Sequence, residues 1–483
     1  MDPGSAPVLK EHSMKHPATA ICLALFLSVR AVSIPAAPTG PASSADLRNS
    51  VDRIVGEVLA ASGVSSASVA IVRQGEPAWA RAYGIARREP RAAASSGMRY
   101  AIGSISKQFT AAAVLLLVED HKLSLDDPVS RFLPSLTRSG EVTVRQLLSH
   151  TSGYQDYWPQ DFVPPFMLEP TSAQGILDRW AKKPLDFEPG SAWQYSNTNY
   201  VIAGLIIEQA GGMPLFQFLK TRLFAPLGMA SVASIDSDRL GDTDSVGYLR
   251  YALGPPRVAP KEGRGWLFAA GELAMSAPDL ARWDTAVLER RILAPESWRA
   301  MQTEVVLANG LGTRYGLGVN VVSSDGHRIL SHGGEVSGFT AHNAVFPDDG
   351  VAICVLVNQD AVGASSTIAD RVAPLLFGGR ADVPGAEHRA AGILRELQHG
   401  RIDRALFTEN GNSYFTAEAL RDFASSLGPL GPPSKLRQTE RRERGGMTFR
   451  RYEVTFPRRA VRILERSLPD GRIEQYLVAA KEE

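Results

Sequence analysis

The residues whose types and spacing could perform chemistry begin with Ser104 and Lys107, which form an S-x-x-K motif. A serine hydroxyl is a weak nucleophile until a neighbouring base accepts its proton. If Ser104 begins a helix, Lys107 lies one turn later on the same face, with Cβ atoms about 5–6 Å apart. The apolar run that follows, QFTAAAVLLL, predicts a buried helix. Burial lowers the pKa of a lysine toward the range of a useful base, so the motif predicts a nucleophile with its own base.

A second motif, Y-S-N, contains Tyr195 and Asn197. A tyrosine beside Lys107 could act as a phenolate or relay a proton. Asn197 lies two residues further on, so in a locally extended loop it would face the same side. Its side-chain amide could then bond a substrate carbonyl.

A third motif, H-G-G, contains His332, Gly333 and Gly334 after a short apolar segment. Glycines in a strand allow a ligand to approach the backbone closely. A free N–H in this strand could form an oxyanion hole together with the N–H of Ser104. His332 could bond the substrate or the tyrosine oxygen.

Each motif also has a structural interpretation. Ser104 could cap a core helix while Lys107 extends to solvent, Y-S-N could form a turn, and His332 could end a strand. S-x-x-K is short enough to occur by chance in a chain of 483 residues. The ordered combination of the three motifs is far more specific, and it predicts a serine enzyme that transfers acyl groups.

Further segments around the motifs resemble the serine β-lactamase-related family. This family includes class C β-lactamases, D,D-peptidases, D-amino-acid amidases and esterases. The resemblance covers about residues 48–378 and implies an α+β fold of the β-lactamase/transpeptidase type, with no cofactor. In order, the segments are RYAIGSISKQFTAAAVLLL, TVRQLLSHTSGY, FEPGSAWQYSNTNYVIAGLIIEQAGG, LFAPLGM, AAGELAMSAPDLARW, YGLG, HGGEVSGF and VFPDDGVAICVLVNQ.

The resemblance also implies a role for each site residue. Ser104 would be the acylated nucleophile, Lys107 and Tyr195 would share general-base and general-acid work, and Asn197 would contact the acyl amide. The remaining substrate-binding positions are His332, Gly334 and Glu335, where the backbone N–H of Glu335 would be the second oxyanion donor.

The H-G-G motif departs from the β-lactamase pattern, because His332 stands where penicillin-recognising enzymes usually place a lysine. A mostly neutral histidine offers little attraction to a substrate carboxylate, and Glu335 adds a negative charge. We therefore expect a hydrolase of esters or amides, including D-amino-acid-type peptides. The alternatives are a β-lactamase or D,D-carboxypeptidase and, in another class, a non-hydrolytic acyl-binding or sensor protein.

The composition limits the location and the partners of the protein. A net charge of +1 gives no general attraction for nucleic acid. Residues 1–40 predict a signal peptide with an upstream extension, because Lys15 and His16 precede a short apolar run and small residues. We expect export to the periplasm or medium, with membrane contact only if this segment stays uncleaved. The expected partner is a small-molecule or peptide acyl substrate, and protein partners are left open.

Cysteine and histidine spacing gives no sign of a metal site. Cys354 is the only cysteine after the predicted signal peptide, and it lies inside an apolar run. We therefore expect it to be a core residue, neither a nucleophile nor part of a disulfide.

Hydrophobic periodicity predicts an antiparallel sheet flanked by helices, a helix-rich lobe, and a small C-terminal α+β domain. The predicted domains are residues 45–378 for the hydrolase, 379–389 for a linker and 390–483 for the accessory domain. Expected elements in the first domain are a helix over Ala45–Ser62, a hairpin of Ser68–Val72 with Ala78–Tyr83, strands over Tyr315–Val321, Arg328–Ser331, Phe339–Phe346 and Val351–Val357, and a helix over Ser366–Phe377.

The C-terminal residues predict helices over Ala390–Gly400 and Ala417–Leu427, followed by three strands from Met447 onward. This region resembles the conical nuclear-transport-factor-like modules attached to some members of the family. Several arginines between 441 and 451 alternate with glutamates, so a solvated sheet face is favoured over a nucleic-acid site.

Overall fold

The computed structural model describes residues 44–74, 78–160, 162–238, 240–324, 327–360, 362–377, 386–444, 447–468 and 471–480. The predicted signal peptide lies outside the described residues. Among the described residues, no single helix is long and apolar enough to cross a membrane, although one bent pair, Asn197–Gly211 with Leu215–Phe224, meets the criteria of length and composition together.

Helices occur in both domains. They are α1 (Ser44–Ser62), α2 (Ser106–Glu119), α3 (Val144–Leu148), α4 (Ala173–Ile176), α5 (Asn197–Gly211), α6 (Leu215–Leu219), α7 (Phe268–Gly271), α8 (Ala277–Leu288), α9 (Pro295–Met301), α10 (Ala364–Leu376), α11 (Ala386–Gln398), α12 (Glu409–Tyr414) and α13 (Ala417–Leu427).

The strands form a large sheet, a C-terminal sheet and two small ribbons. They are β1 (Ser66–Arg73), β2 (Trp79–Arg87), β3 (Ala92–Ala93), β4 (Tyr100–Ala101), β5 (Ala233–Ser234), β6 (Tyr248–Leu249), β7 (Arg257–Val258), β8 (Leu273–Met275), β9 (Asn320–Ser324), β10 (His327–Val336), β11 (Phe339–Phe346), β12 (Val351–Val357), β13 (Lys435–Arg444), β14 (Met447–Thr455), β15 (Ala460–Ser467) and β16 (Ile473–Ala480).

The large sheet has the strand order β3-β2-β1-β12-β11-β10-β9, and its neighbouring strands are antiparallel. Its central strand β12 has the sequence VAICVLV and is buried along its whole length, as a strand covered on both faces must be. Helices α1 and α10 pack on one face of the sheet, and α8 packs on the other. This confirms the predicted α+β architecture.

Helix α2 places the first motif. It is apolar on all sides and buried from Ser106 through Leu117, as expected for a helix in the centre of a core. A short 3₁₀ turn, Gly103–Ile105, leads into it, so Ser104 lies just before the helix. Gly103 has a φ of +51°, and a Cβ atom there would lie 2.6 Å from the backbone N of Glu335. Only glycine therefore allows the nucleophile turn and strand β10 to approach so closely.

The C-terminal domain is a four-stranded antiparallel sheet, β13-β14-β15-β16, with helices α11 to α13. Its core is separate from those of the large sheet and includes Leu394, Tyr452, Ile463 and Tyr476. Thr416 caps α13, because its side chain accepts the N–H of Ala419.

Three expectations about the elements were wrong. The strand predicted over Tyr315–Val321 begins at Asn320, because Gly316 and Gly318 turn the chain in places where a Cβ would clash with backbone. By contrast, both glycines of H-G-G lie in a strand, as predicted: β10 extends past Ser331 and pairs there with β11. Helix α11 starts inside the predicted linker, at Ala386. Arg450 is buried instead of lying on a solvated face.

Candidate active site

Lys107 and Ser104 are in direct contact at the start of α2. The Lys107 side chain is fully buried, and its Nζ lies 3.0 Å from Ser104 Oγ, 2.8 Å from Asn197 Oδ1 and 2.7 Å from the carbonyl oxygen of Ala270. The amide and carbonyl oxygens can only accept hydrogen bonds. A neutral amine would donate its two N–H bonds to them, which directs its lone pair at the serine hydroxyl. The contacts therefore suit a lysine that takes the Ser104 proton.

The electrostatic surroundings favour that neutral form. Burial lowers the pKa of Lys107 to about 7, although the negative charge of Asp156 opposes this shift. Lys107 Nζ also lies 5.0 Å from the centroid of the Tyr195 ring and 5.3 Å from that of Tyr200. These ring faces attract the ammonium form. Both protonation states are thus accessible near neutral pH.

Tyr195 lies beside the serine and is a phenol in this structure. Burial raises the pKa of Tyr195, and the neighbouring Ser104 hydroxyl lowers it by less. Its buried hydroxyl makes no hydrogen bond of normal geometry with the described residues. The resting tyrosine therefore carries its proton, and any relay would use the phenol, not a preformed phenolate.

Asn197 is the first residue of α5 and does not lie in an extended loop, as the Y-S-N motif had suggested. Its Oδ1 accepts from Lys107, and its Nδ2 donates to Asp156 Oδ1 at 3.2 Å. The same carboxylate oxygen accepts the backbone N–H of Asn197 at 2.9 Å. Asp156 therefore holds the amide that orients the lysine. Nδ2 also lies 3.4 Å from Asp156 Oδ2, so both oxygens of this carboxylate contact the amide nitrogen.

His332 lies inside β10 with both ring nitrogens bonded within the protein. Nδ1 lies 2.5 Å from the carbonyl oxygen of Gly333, and Nε2 lies 2.9 Å from the Tyr315 hydroxyl. Because a carbonyl only accepts, Nδ1 carries the proton and Nε2 accepts from Tyr315. Burial and the charge of Lys107 lower the pKa of His332 to about 3. The histidine is therefore neutral, and its described partner is Tyr315, not Tyr195.

The backbone of β10 packs against the nucleophile turn. A Cβ atom on Gly334 would lie 1.8 Å from the carbonyl oxygen of Ile102 and 3.3 Å from the backbone N of Ser104. Gly103 likewise approaches the backbone N of Glu335. The backbone N atoms of Ser104 and Glu335 therefore lie at the same contact between the nucleophile turn and β10. Two backbone donors beside a nucleophile are the usual components of an oxyanion hole.

Three further residues at the site went unpredicted as functional: Asp156, His150 and Tyr315. The His150 ring lies 4.3 Å from that of Tyr195, centroid to centroid, and its Nδ1 accepts the N–H of Ser196. Burial lowers the pKa of His150, so the ring is neutral. The HTSG and YGLG segments contain His150 and Tyr315 without revealing their contacts, and Asp156 lies outside both segments.

These residues open onto a cavity of about 760 Å³. Its apolar lining includes Trp158, Phe162 and Val163. The carboxylates of Asp156, Glu335 and Asp360 also line the cavity. The described residues that line the cavity include no lysine or arginine. The groove therefore suits neutral or cationic ligands with an apolar part better than anionic ones.

No group of three or more His, Cys, Asp or Glu side chains in the described residues is arranged to hold a metal ion. Cys354 is fully buried in β12, in agreement with the prediction of a core residue.

Comparisons with known proteins show which family and which relatives the chain resembles. The family model described as Beta-lactamase matches residues 51–376. The chain is 29% identical over 375 residues to penicillin-binding protein 4* of Bacillus subtilis, covering 74% of this chain and 79% of that protein. It is 29% identical over 315 residues to a D-aminopeptidase of Brucella anthropi, covering 64% and 59%. The structure of D-amino acid amidase from Ochrobactrum anthropi SV3 matches with a TM-score of 0.60 and 26% identity, covering 68% and 98%.

Proposed function

The chain belongs to the beta-lactamase family of serine hydrolases, and on that premise we propose that it cleaves amides or peptides through an acyl-enzyme at Ser104. The observation that carries this proposal is the contact of Ser104 with a buried Lys107 whose other two partners can only accept hydrogen bonds. Esters, which react more easily by the same steps, are expected to be hydrolysed as well.

Acylation begins when Ser104 Oγ attacks the substrate carbonyl carbon and its proton passes to Lys107 Nζ. The carbonyl oxygen becomes negative, and the N–H groups of Ser104 and Glu335 stabilise it. The carbon–nitrogen bond then breaks, and the amine leaves with a proton supplied from Lys107 through the Tyr195 hydroxyl. Water attacks the ester in the second half, loses a proton to the same relay, and releases the acid and the free serine.

The proposed substrate carries a positive or neutral acyl group. Asp156, Glu335 and Asp360 line a groove without a lysine or arginine among its described residues, and the neutral His332 offers no charge to a carboxylate. A free ammonium group on the acyl part would be attracted here, while the wall at Trp158 and Phe162 suits an apolar side chain. The relatives named D-aminopeptidase and D-amino acid amidase support the same substrate class.

We further propose that the protein is exported. Support comes only from the basic start, the short apolar run and the small residues within positions 1–40. Expression in a Gram-negative host, followed by N-terminal sequencing of the periplasmic protein, tests this. A chain that stays in the cytoplasm with its N-terminus intact contradicts it.

Rapid-quench intact-mass measurement tests the proposed reaction with D-phenylalanine amide, L-phenylalanine amide, N-acetyl-D-phenylalanine amide and nitrocefin. We expect an adduct on Ser104 and hydrolysis of the free-amine amide. Ser104→Ala should lower kcat/KM at least ~10³-fold. The matched control is Ser366→Ala, which removes another serine hydroxyl from the same groove and should retain activity.

Each other outcome identifies a different error. Full activity of Ser104→Ala excludes this nucleophile. Equal turnover of the acetylated amide excludes recognition of the ammonium group. Turnover of nitrocefin alone favours the β-lactamase alternative, and an adduct that never hydrolyses favours an acyl sensor.

A further inference from the structure

A second cavity, of about 450 Å³, lies in the C-terminal domain. It is found where β14 and β16 begin and β15 ends, and α12 forms one wall. Its volume falls within the range of small-molecule sites in proteins. None of its lining residues belongs to the catalytic groove, so it requires an explanation of its own.

One wall of this accessory cavity carries a fixed negative charge. Glu474 is the extra residue of a β-bulge, since Arg466 pairs with Gln475 and Ser467 pairs with Ile473. Bulges commonly redirect a side chain, and here Glu474 accepts from Thr408 Oγ1 at 2.6 Å and from Asn410 Nδ2. These hydrogen bonds lower the pKa of Glu474, so it is held in place as a carboxylate.

A positive charge lines the same cavity without pairing to that carboxylate. Arg466 is exposed, and no ion pair joins it to an acidic residue in the part of the chain that the structure describes. By contrast, its neighbours Arg450 and Arg451 are paired with Glu465 and Glu440. Opposite charges that line one cavity but stay apart can each bind an opposite charge of a ligand.

The rest of the lining is apolar and aromatic, and includes Tyr414, Met447 and Leu477. We propose that this cavity binds a free amino acid with an apolar side chain. The carboxylate of the ligand would pair with Arg466, its ammonium group with Glu474, and its side chain would lie against Tyr414. This proposal does not depend on the reaction proposed for Ser104, although an amidase would release such a product.

The test uses a fluorescent reporter inside the cavity of the full-length protein. All seven tryptophans lie at or before Trp298, so Tyr414→Trp adds the only tryptophan of the C-terminal domain. Its emission is titrated with D- and L-phenylalanine, and wild-type protein is titrated in parallel to subtract signals from the catalytic domain. Phenethylamine and 3-phenylpropionate each lack one of the two charges.

We expect a saturable emission change with at least one enantiomer of phenylalanine, and at least tenfold weaker binding of both single-charge analogues. In the reporter background, Arg466→Gln should weaken binding at least tenfold. The matched control is Arg462→Gln on the same strand, which lies outside the cavity lining and should bind normally. Glu474→Gln should behave like Arg466→Gln if circular dichroism shows it folded; otherwise the arginine variant decides.

The proposal is overturned if phenylalanine causes no saturable change, or if Arg466→Gln binds as tightly as its parent. Equal binding of either single-charge analogue also overturns it, because the paired charges would then have no role.

Discussion

Lys107 in the hydrolase domain and Arg450 in the C-terminal domain are both buried basic side chains, but their partners differ. Lys107 contacts only uncharged oxygens, and Asp156 acts on it without an ion pair. Arg450 lies 3.2 Å from Glu465, a fully buried carboxylate that Arg389 also contacts at 2.8 Å.

This difference shows that the contacting groups determine whether a buried basic side chain can lose its proton near neutral pH. Without a contacting carboxylate, burial lowers the pKa of Lys107 to about 7, so it can gain and lose a proton during turnover. Arginine stays charged at any ordinary pH, and the direct ion pair with Glu465 compensates its burial. The first arrangement suits catalysis, and the second holds a small core together.

The largest effect is expected from replacing Lys107. Lys107→Arg keeps the charge but cannot release its proton, and Lys107→Met removes both functions. Both should lower kcat/KM at least ~10³-fold, because Lys107 is the amine that contacts Ser104 Oγ. Steady-state kinetics measures this, with circular dichroism to check folding. Activity of Lys107→Arg within tenfold of wild type would mean that charge alone suffices.

A smaller effect, on stability, is expected from breaking the structural pair. Glu465→Gln leaves the buried Arg450 and the half-buried Arg389 without their carboxylate. This should lower the free energy of unfolding of the C-terminal domain by about 3–5 kcal/mol. Urea denaturation measures the change. The control Glu453→Gln removes a more exposed partner, 3.8 Å from Arg437, and should cost under about 1 kcal/mol. Equal costs would contradict the contrast between buried and surface pairs.

The smallest effect concerns the pH profile. Because neutral Lys107 is the base, kcat/KM should rise about tenfold per pH unit below pH 7 and level off above it. Asp156 raises the pKa of Lys107, so Asp156→Asn should shift this rise to lower pH. The pH dependence of kcat/KM for both proteins measures the shift. A shift to higher pH would show that Asp156 acts mainly by positioning Asn197.

The local sequence predicted strands that consist of apolar runs bounded by turn-forming residues. The bounds of β11 and β12 agree with the predicted strands, because both are apolar runs separated by the turn-forming sequence PDDG. The contact between Ser104 and Lys107 was predicted for a similar reason, since residues three apart near a helix start are neighbours.

Contacts between distant segments were not predictable in this way. Asp156 reaches Asn197, and Tyr315 reaches His332, only because the fold brings separate loops and strands together. Strand β13 was missed because its ten residues, KLRQTERRER, have the charge of a surface segment. Arg450 and Arg451 were assigned to one face, although successive residues of a strand point to opposite faces.

At position 335 the backbone and the side chain have separate roles. Its backbone N packs against Gly103 and is fixed by the strand, while its side chain lines the groove. The residue at 335 can therefore be exchanged without removing the backbone donor. Mutational libraries at this position offer a way to redirect substrate preference while the chemical step stays intact, whereas any side chain at Gly103 or Gly334 would force the two segments apart.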